Sequence, residues 1–516
     1  MVKSRMPLTV IITTSGVGSR LGELTKHTNK CLVRVDDKPA ISHIIETYPK
    51  DTKFVVTLGH FGSHVKQFLS LAYPNIDFSF VDIDKFEGEG SSLGYSISKC
   101  KEAINSSFIY HACDTIVRDL KLDKKNFIVG SKKDNVSQFR TLRYSSNKIY
   151  DKGEIDYDLA YVGICGVEDY KKFFDILEDL LHNNFFELSD VDVINIMSKD
   201  TKFDIIEVKD WHDIGNNGEL ISTRQHFKSS FHVLDKPEES IYFFDDFIIK
   251  FFSNSKIAGN RVERAKYLGD NVPEIVAYTE NFYKYNKVES NLLASVVTPD
   301  NFIKLLDWSL SNLWKPIKKK DFECVCFDFY YHKTHERVNK YLSEFGDEEL
   351  FINDQKVPHI FDLLKEVDFG DLSEGIPVRF HGDFILDNIL YDGEEFKLLD
   401  WRQDFQGCLD AGDVYYDLAK LNHNLTLNHN VLDSNLFTIK SIDNKNIRCD
   451  VLTPSINLEC QKRYYKWLEQ NRFSVRKVKL LTSIIWLNMS PLHEYPLNRF
   501  LFHFGKYNLL LNLEEY

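Results

Sequence analysis

The sequence predicts an α/β chain of two successive domains. Three observations carry that prediction. Its 516 residues exceed the length of one ordinary domain. Short apolar strands alternate with helical stretches over residues 1–225, the pattern of a mostly parallel sheet with helices on both faces. A polar stretch, Gln225 to Ser240, then breaks the alternation, and residues 226–516 bring a hairpin, a run of amphipathic helices and one dense polar motif, His381 to Asp404.

Composition narrows the classes. Hydrophobic residues make up 43% and charged residues 27%, a globular profile with ample core. A net charge of −13 argues against a nucleic-acid backbone as partner, so phosphate-bearing substrates must be met by a few local basic residues. The nine cysteines are scattered, odd in number and without a C-x-x-C pair, which reads as the reduced thiols of a cytoplasmic protein rather than a disulfide framework or zinc site. The apolar run after Lys3 and Arg5 is short and reads as a first strand rather than a signal peptide. No run of ~18 apolar residues occurs, so no membrane span is expected.

Leu8 to Ile12 is that first strand, and Thr13-Thr14-Ser15-Gly16-Val17-Gly18-Ser19-Arg20-Leu21 follows it. Glycines at 16 and 18 let backbone N–H groups approach a polyphosphate, which a basic residue can neutralise. The turn is neither the dinucleotide fingerprint nor a Walker A loop. Lys53 to Leu58 is a second strand, closed by Gly59-His60, and Phe78 to Val81 a third. Glu87 to Leu93, with Gly90, opens a helix. Phe108 to His111 is a strand ending in Cys113-Asp114, and Trp211-His212-Asp213-Ile214-Gly215 closes the domain. Gly16, Asp114 and Asp213 each follow a strand, where open α/β sheets bind ligands.

With Thr25, Asn29-Lys30, Val33-Arg34-Val35 and Lys38-Pro39, this half resembles the sugar-phosphate nucleotidyltransferase family, whose pattern runs G-x-G-[ST]-R-L, T, P-K, K-P. Asn29 departs from it, standing where the family has proline. The resemblance implies a Rossmann-like nucleotidyltransferase domain. In it Arg20 holds the triphosphate, and Lys30 the α-phosphate and the incoming phosphate. Gly16, Gly18, Ser19 and Gly90 contact the nucleotide, and Asp114 and Asp213 carry Mg²⁺. A phosphomonoester oxygen would attack the α-phosphate of a nucleoside triphosphate and pyrophosphate would leave. Both reactants are anions, so catalysis is chiefly charge neutralisation and in-line placement.

The second domain opens with a hairpin, Ser240 to Phe252, that carries Lys250 inside an apolar strand. A lysine there is costly unless it meets a charge. Val272 to Val276 and Phe282 to Tyr285 read as further strands. Residues 300–370 read as amphipathic helices whose aromatics, Trp308, Trp314, Phe322, Phe327, Phe329, Tyr330 and Tyr331, are core, with a cation–π cage as the other reading. The motif HGDFILDN…LLDW then supplies Asp383, Asn388 and Asp400. Phosphoryl transfer needs one carboxylate to accept a hydroxyl proton, here Asp383, and an amide oxygen and a second carboxylate to hold Mg²⁺, here Asn388 and Asp400. Residues 455–516 form an apolar helical tail that covers this domain.

This motif and Gly412 to Ala419 resemble the aminoglycoside phosphotransferase and choline kinase family, relatives of the protein kinases. The resemblance implies a C-terminal two-lobed protein-kinase-like domain. Lys250 would touch the ATP phosphates, Glu263 would be its ion-pair partner, and the backbone near Phe282 to Tyr285 would meet adenine. Together the halves imply a bifunctional transferase with Mg²⁺ in both domains. A small alcohol would be phosphorylated by ATP and then activated by a second nucleoside triphosphate, CTP favoured, for surface polysaccharide or capsule biosynthesis. An anomeric sugar kinase joined to a sugar-1-phosphate uridylyl- or guanylyltransferase is one alternative. A half acting only as nucleotide sensor or scaffold is another. No nucleic-acid partner is expected; an oligomer is possible.

Overall fold

The computed structural model describes residues 7–122, 125–146, 148–183, 187–227, 237–348, 350–443 and 445–515. Lys3, Arg5 and most of the polar stretch after Gln225 lie outside the described residues. The chain forms two compact units. One runs to Ala258 and takes back Val276–Tyr285; the other comprises Gly259–Ile275 and Asn286 onward.

The first unit is built on strands β1 (Thr9–Thr13), β2 (Lys53–Leu58), β3 (Asp77–Asp82), β4 (Phe108–Ala112), β5 (Thr115–Val117), β6 (Phe127–Ser131), β7 (Leu159–Val167), β8 (Asp204–Val208) and β9 (Trp211–Asp213). β1 lies between β2 and β4, parallel to both, and β3 runs parallel beyond β2. β1, β2 and β4 are near-continuous apolar runs because both their faces are covered. Val10, Ile12, Phe54 and Val56 enter one core layer, and Ile11 and Val55 the other, as the strand period of two requires.

The sheet is mixed rather than mostly parallel. β7 pairs antiparallel with both β4 and β6, while β8 runs parallel to β6. The reason is the connection: among the described residues of 132–158 there are short strands and no helix, and a parallel pairing of β6 and β7 would need a crossover. β5 and β9 form a separate antiparallel pair that faces Asp213 with Thr115. Gly59 is required where β2 ends, since a Cβ there would lie 2.4 Å from the Ser15 carbonyl oxygen.

A second sheet of this unit contains β10 (Glu239–Phe243), β11 (Phe247–Phe252), β12 (Ile275–Tyr278) and β13 (Phe282–Asn286), in the order β10-β11-β13-β12. The hairpin read from the sequence is thus present. One face of this sheet packs on the helix Gly62–Ala72 of the α/β layer: Phe68 meets Tyr242 at 5.3 Å and Phe282 at 6.1 Å between ring centroids. Tyr242 donates to the Leu32 carbonyl at 2.8 Å, and Lys284 to that of Leu71 at 3.2 Å. Ile249 and Phe251 belong to this shared core, so Lys250 projects from the opposite face of β11.

The second unit is mostly helical, around one large core. Its centre is the helix Val414–Thr426, buried along most of its length against the helix Val475–Met489. The aromatics of the 300–370 stretch join that core: Trp314, Phe322, Phe329 and Tyr330 are buried, and Trp308, Phe327 and Tyr331 pack against it. Lys333 Nζ lies over the Phe329 ring, 3.9 Å from its centroid. The helices Ser455–Gln470, Val475–Met489 and Leu497–Glu514 complete the core as the covering tail. Among the described residues no helix is long and apolar enough to cross a membrane.

Candidate functional site

In the first unit the polar residues gather where β1, β4 and β9 end. The Gly-rich turn needs its glycine at 18: φ there is +69°, and an added Cβ would press on Lys30 Cβ at 3.0 Å. Gly16 has open space around it, and Ser19 and Arg20 are exposed. Asn29 is fully buried and does what a proline cannot. Its amide donates to the carbonyls of Thr14 at 2.7 Å and His60 at 2.6 Å, while its oxygen accepts from Cys31 N–H at 2.9 Å. The departure from the family pattern therefore fastens the lysine loop to the ends of β1 and β2.

Lys30, itself buried, places Nζ 2.6 Å from Asp114 Oδ2. Burial alone would lower the lysine pKa and raise the aspartate's. Their mutual attraction outweighs it: Lys30 sits above its usual value and Asp114, which also feels Arg20, below its own. Asp213 is brought alongside by the β5–β9 pairing, with Gly215 N–H donating to its Oδ1 at 2.8 Å. Burial and repulsion from Asp114 push it up to about 6. One ammonium thus serves two carboxylates, and the remaining negative charge suits a hard divalent cation such as Mg²⁺, which takes oxygen ligands. Gly90 sits in a turn at φ +81°, before the short helix Leu93–Ser98. Ser96 of that helix meets Ser15 Oγ at 3.0 Å.

The second unit holds the second constellation. Asp383 has a different partner on each carboxylate oxygen: Lys420 Nζ at 2.7 Å from Oδ1, and the Asn388 amide donating to Oδ2 at 3.1 Å. Burial would raise Asp383, but Lys420 holds it below the usual range, so it is ionised at neutral pH. Asn388 spends its amide N–H on Asp383, which leaves its oxygen as the end able to bind a cation. Asp400 adopts φ +57°, a left-handed conformation that a non-glycine residue holds only where surroundings enforce it. Its carboxylate pairs with Arg261. The Asn388 oxygen and the Asp400 carboxylate here also suit Mg²⁺.

The loop bearing Asp383 is gripped from both sides. Asp417 accepts from His381 N–H at 2.8 Å, Gly382 N–H at 2.6 Å and Trp314 Nε1–H at 3.0 Å. Buried Arg264 donates to the carbonyls of Phe380, His381, Arg402 and Leu409. His381 is neutral, since burial lowers it to about 4; its Nδ1 accepts from Asp383 N–H at 3.2 Å and its Nε2 bonds the Leu399 carbonyl at 2.8 Å.

The structure brings Lys30 to Asp114 and Asp213, and Asn388 to Asp383. Lys250 is buried in β11, and Glu263 is partly exposed and paired with Lys266 one turn along its helix. Lys420, Arg261 and Arg264 were missed in the sequence. Lys420 follows Asp417 by one helical turn, a spacing that puts both on one face and was available to the eye. Nothing local marks Arg261 and Arg264, which act more than a hundred residues away along the chain.

No family model matches the chain. Its N-terminal part is similar to curated proteins called "Bifunctional protein GlmU". That of Methanococcus vannielii is 25% identical over 232 residues, 42% of this chain and 54% of the relative. That of Methanococcus maripaludis is 25% identical over 228 residues, with the same shares. The chain thus spans about half the length of the curated relatives it matches. Among solved structures, the CTP:phosphocholine cytidylyltransferase of Streptococcus pneumoniae is 19% identical, covers 43% of this chain and all of its own, and has a TM-score of 0.38. The inositol-1-phosphate CTP transferase of T. maritima is 16% identical, covers 44% of this chain and 98% of its own, and has a TM-score of 0.35.

Proposed function

We propose that the chain carries out two consecutive transfers: ATP phosphorylates a small alcohol, and a second nucleoside triphosphate, CTP favoured, then activates the phosphomonoester with release of pyrophosphate. The observation that supports it most is that both expected constellations close on themselves, Lys30 on Asp114 and Asn388 on Asp383.

In the kinase step the acceptor oxygen forms a bond to the γ-phosphorus of ATP, its proton passes to Asp383, and ADP leaves. Asp383 suits this because Lys420 keeps it ionised while Asn388 fixes its orientation. Asn388 and Asp400 would hold Mg²⁺, and Lys250, with Glu263 as its expected partner, would meet the ATP phosphates. In the nucleotidyl step Lys30 stands where two phosphate groups approach, Arg20 meets the triphosphate beside Gly16, Gly18 and Ser19, and Asp114 and Asp213 would hold Mg²⁺. The ion in each site supplies charge neutralisation of phosphate oxygens. Gly90 is assigned to the nucleotide, and residues 1–225 and 226–516 to the two activities, although the first compact unit reaches Ala258 and takes in Val276–Tyr285. Products of this kind would feed surface polysaccharide decoration.

One observation favours a sugar or other uncharged alcohol over an amino alcohol of the choline type. The aromatics that could have caged a cationic headgroup are committed to the core, and Lys333 Nζ already lies over the Phe329 ring. A sugar kinase joined to a sugar-1-phosphate nucleotidyltransferase is therefore the second reading. The test is a coupled screen of ATP, the four nucleoside triphosphates and a panel of alcohols and sugars, read by mass spectrometry. A nucleotide-activated product identifies acceptor and base together. A half that turns over nothing and shows no thermal shift with any nucleotide and Mg²⁺ is a scaffold, and the bifunctional reading then fails.

A further inference from the structure

Outside both constellations, Asp210, His212 and His226 converge at the end of the first unit's α/β layer. Each offers one ligand-capable atom, and these atoms lie within 4.8 Å of one another. We propose that these three residues bind a borderline divalent cation such as Zn²⁺, Co²⁺ or Ni²⁺, at a site distinct from the Asp114–Asp213 pair.

The backbone sets the three side chains up. His212 is the middle residue of β9, opposite Ile116 of β5. Asp210 precedes the strand in a turn fixed by Asp119, which accepts from the N–H groups of Lys209 at 2.9 Å and Asp210 at 3.3 Å. His226 arrives on the helix Asn217–Phe227, which is fastened to β9 by Thr223 Oγ1 donating to the Asp213 carbonyl at 3.0 Å. His226 lies one turn after Thr223, so its ring comes over His212 with centroids 4.4 Å apart. His212 Nε2 is 2.7 Å from Asp210 Oδ1. Neighbouring residues of a strand point to opposite faces, so this cluster and Asp213 lie on opposite sides of β9.

The donor set decides the ion. Two imidazole nitrogens and one carboxylate suit Zn²⁺ and its neighbours, whereas Mg²⁺ takes oxygen ligands. His226 is exposed, so the ion has a path in and water can complete its shell. Arg118 opposes the site: its guanidinium stacks 4.1 Å from the Phe227 ring centroid and its charge reaches His212. Asp210 carries the opposite charge and is in direct contact with His212. A bound ion would tie the last turn of the helix to β9, the strand that also presents Asp213.

The test is titration of the metal-free full chain with Co²⁺ in the presence of millimolar Mg²⁺, followed by displacement with Zn²⁺. One equivalent of Co²⁺ should give visible d–d bands of low-symmetry coordination, and Zn²⁺ should abolish them. His226→Ala, at an exposed position that leaves the fold unburdened, and His212→Ala should each weaken binding by about tenfold or more. Asp114→Asn should leave the bands in place. Absence of the bands, or bands that persist unchanged in His226→Ala, would show that Asp210 and His212 form only a hydrogen bond and would overturn the site. Loss of the bands in Asp114→Asn would place the ion at the carboxylate pair instead.

Discussion

Around Asp114 and Asp213 a single ammonium serves two carboxylates, whereas Asp383 and Asp400 each have a cation of their own, Lys420 and Arg261. The consequence appears in the titration of the acids. Asp213 is pushed up to about 6, while Asp383 is held below the usual carboxylate range. A site left short of positive charge suits a bound cation; a carboxylate kept ionised and oriented suits proton acceptance. The difference teaches that the same side chain is assigned by its neighbours rather than by its motif.

Four experiments bear on that contrast. The largest expected effect is at Asp383. Asp383→Asn should lower kinase turnover by ~10²–10⁴, the worth of a positioned general base, with ATP binding and nucleotidyl transfer unchanged. Wild-type turnover in steady-state assays of this variant would remove the base from Asp383 and dissolve the contrast. Next, Lys30→Ala should slow nucleotidyl transfer by about 10² or more, as loss of a preorganised charge does. The kinase should continue, so phosphomonoester should build up in a phosphorus NMR time course. An unchanged yield of activated product would mean that the lysine only balances charge.

Asp213 sharpens the comparison through stability. Its pKa in the folded protein is raised to about 6 by burial and Asp114, above the unfolded value. Below the unfolded value both states are protonated and nothing is lost. As pH climbs towards 6 the unfolded chain gives up its proton first, so the folded state is progressively penalised and the full penalty stands above that pH. Without divalent ions, Asp213→Asn should therefore be more stable than wild type at pH 7, by ~1–3 kcal/mol, and nearly equal to it at pH 4. Denaturant unfolding at both pH values reads this, and an equal gap at both would refute it. Added Mg²⁺ should stabilise wild type more than the variant.

The smallest effect expected is a displacement rather than a loss. Lys420→Met removes the charge that holds Asp383 down, so the acid limb of the kinase pH–rate profile should move to higher pH. A limb that stays in place would show that Lys420 does not tune the base.

Much of this was legible along the chain. Strand ends followed by Gly18, Asp114 and Asp213, and the tight spacing of Asp383 and Asn388, can be read from a sequence because local backbone geometry sets them: a left-handed glycine, a short turn, a strand's last residue. The antiparallel course of β7 was not legible, because a strand pattern carries no direction. Nor was the burial of the β10–β13 sheet on the helix Gly62–Ala72, since apolar faces on both elements ask for a partner without naming it.

What the sequence by itself determined is the set of chemical groups and their local setting: a Gly-rich turn followed by Arg20 and Lys30, an Asp383–Asn388 turn, and an α/β layer with ligand groups after its strands. Only the tertiary structure decided which charges meet. Lys30 finds Asp114 across 84 residues, and Arg261 finds Asp400 across 139. Those meetings depend on packing directions summed over whole domains, and a salt bridge leaves no periodic trace in the chain. The direction in which each acid's pKa moves, down at Asp114 and Asp383 and up at Asp213, was therefore set by the fold.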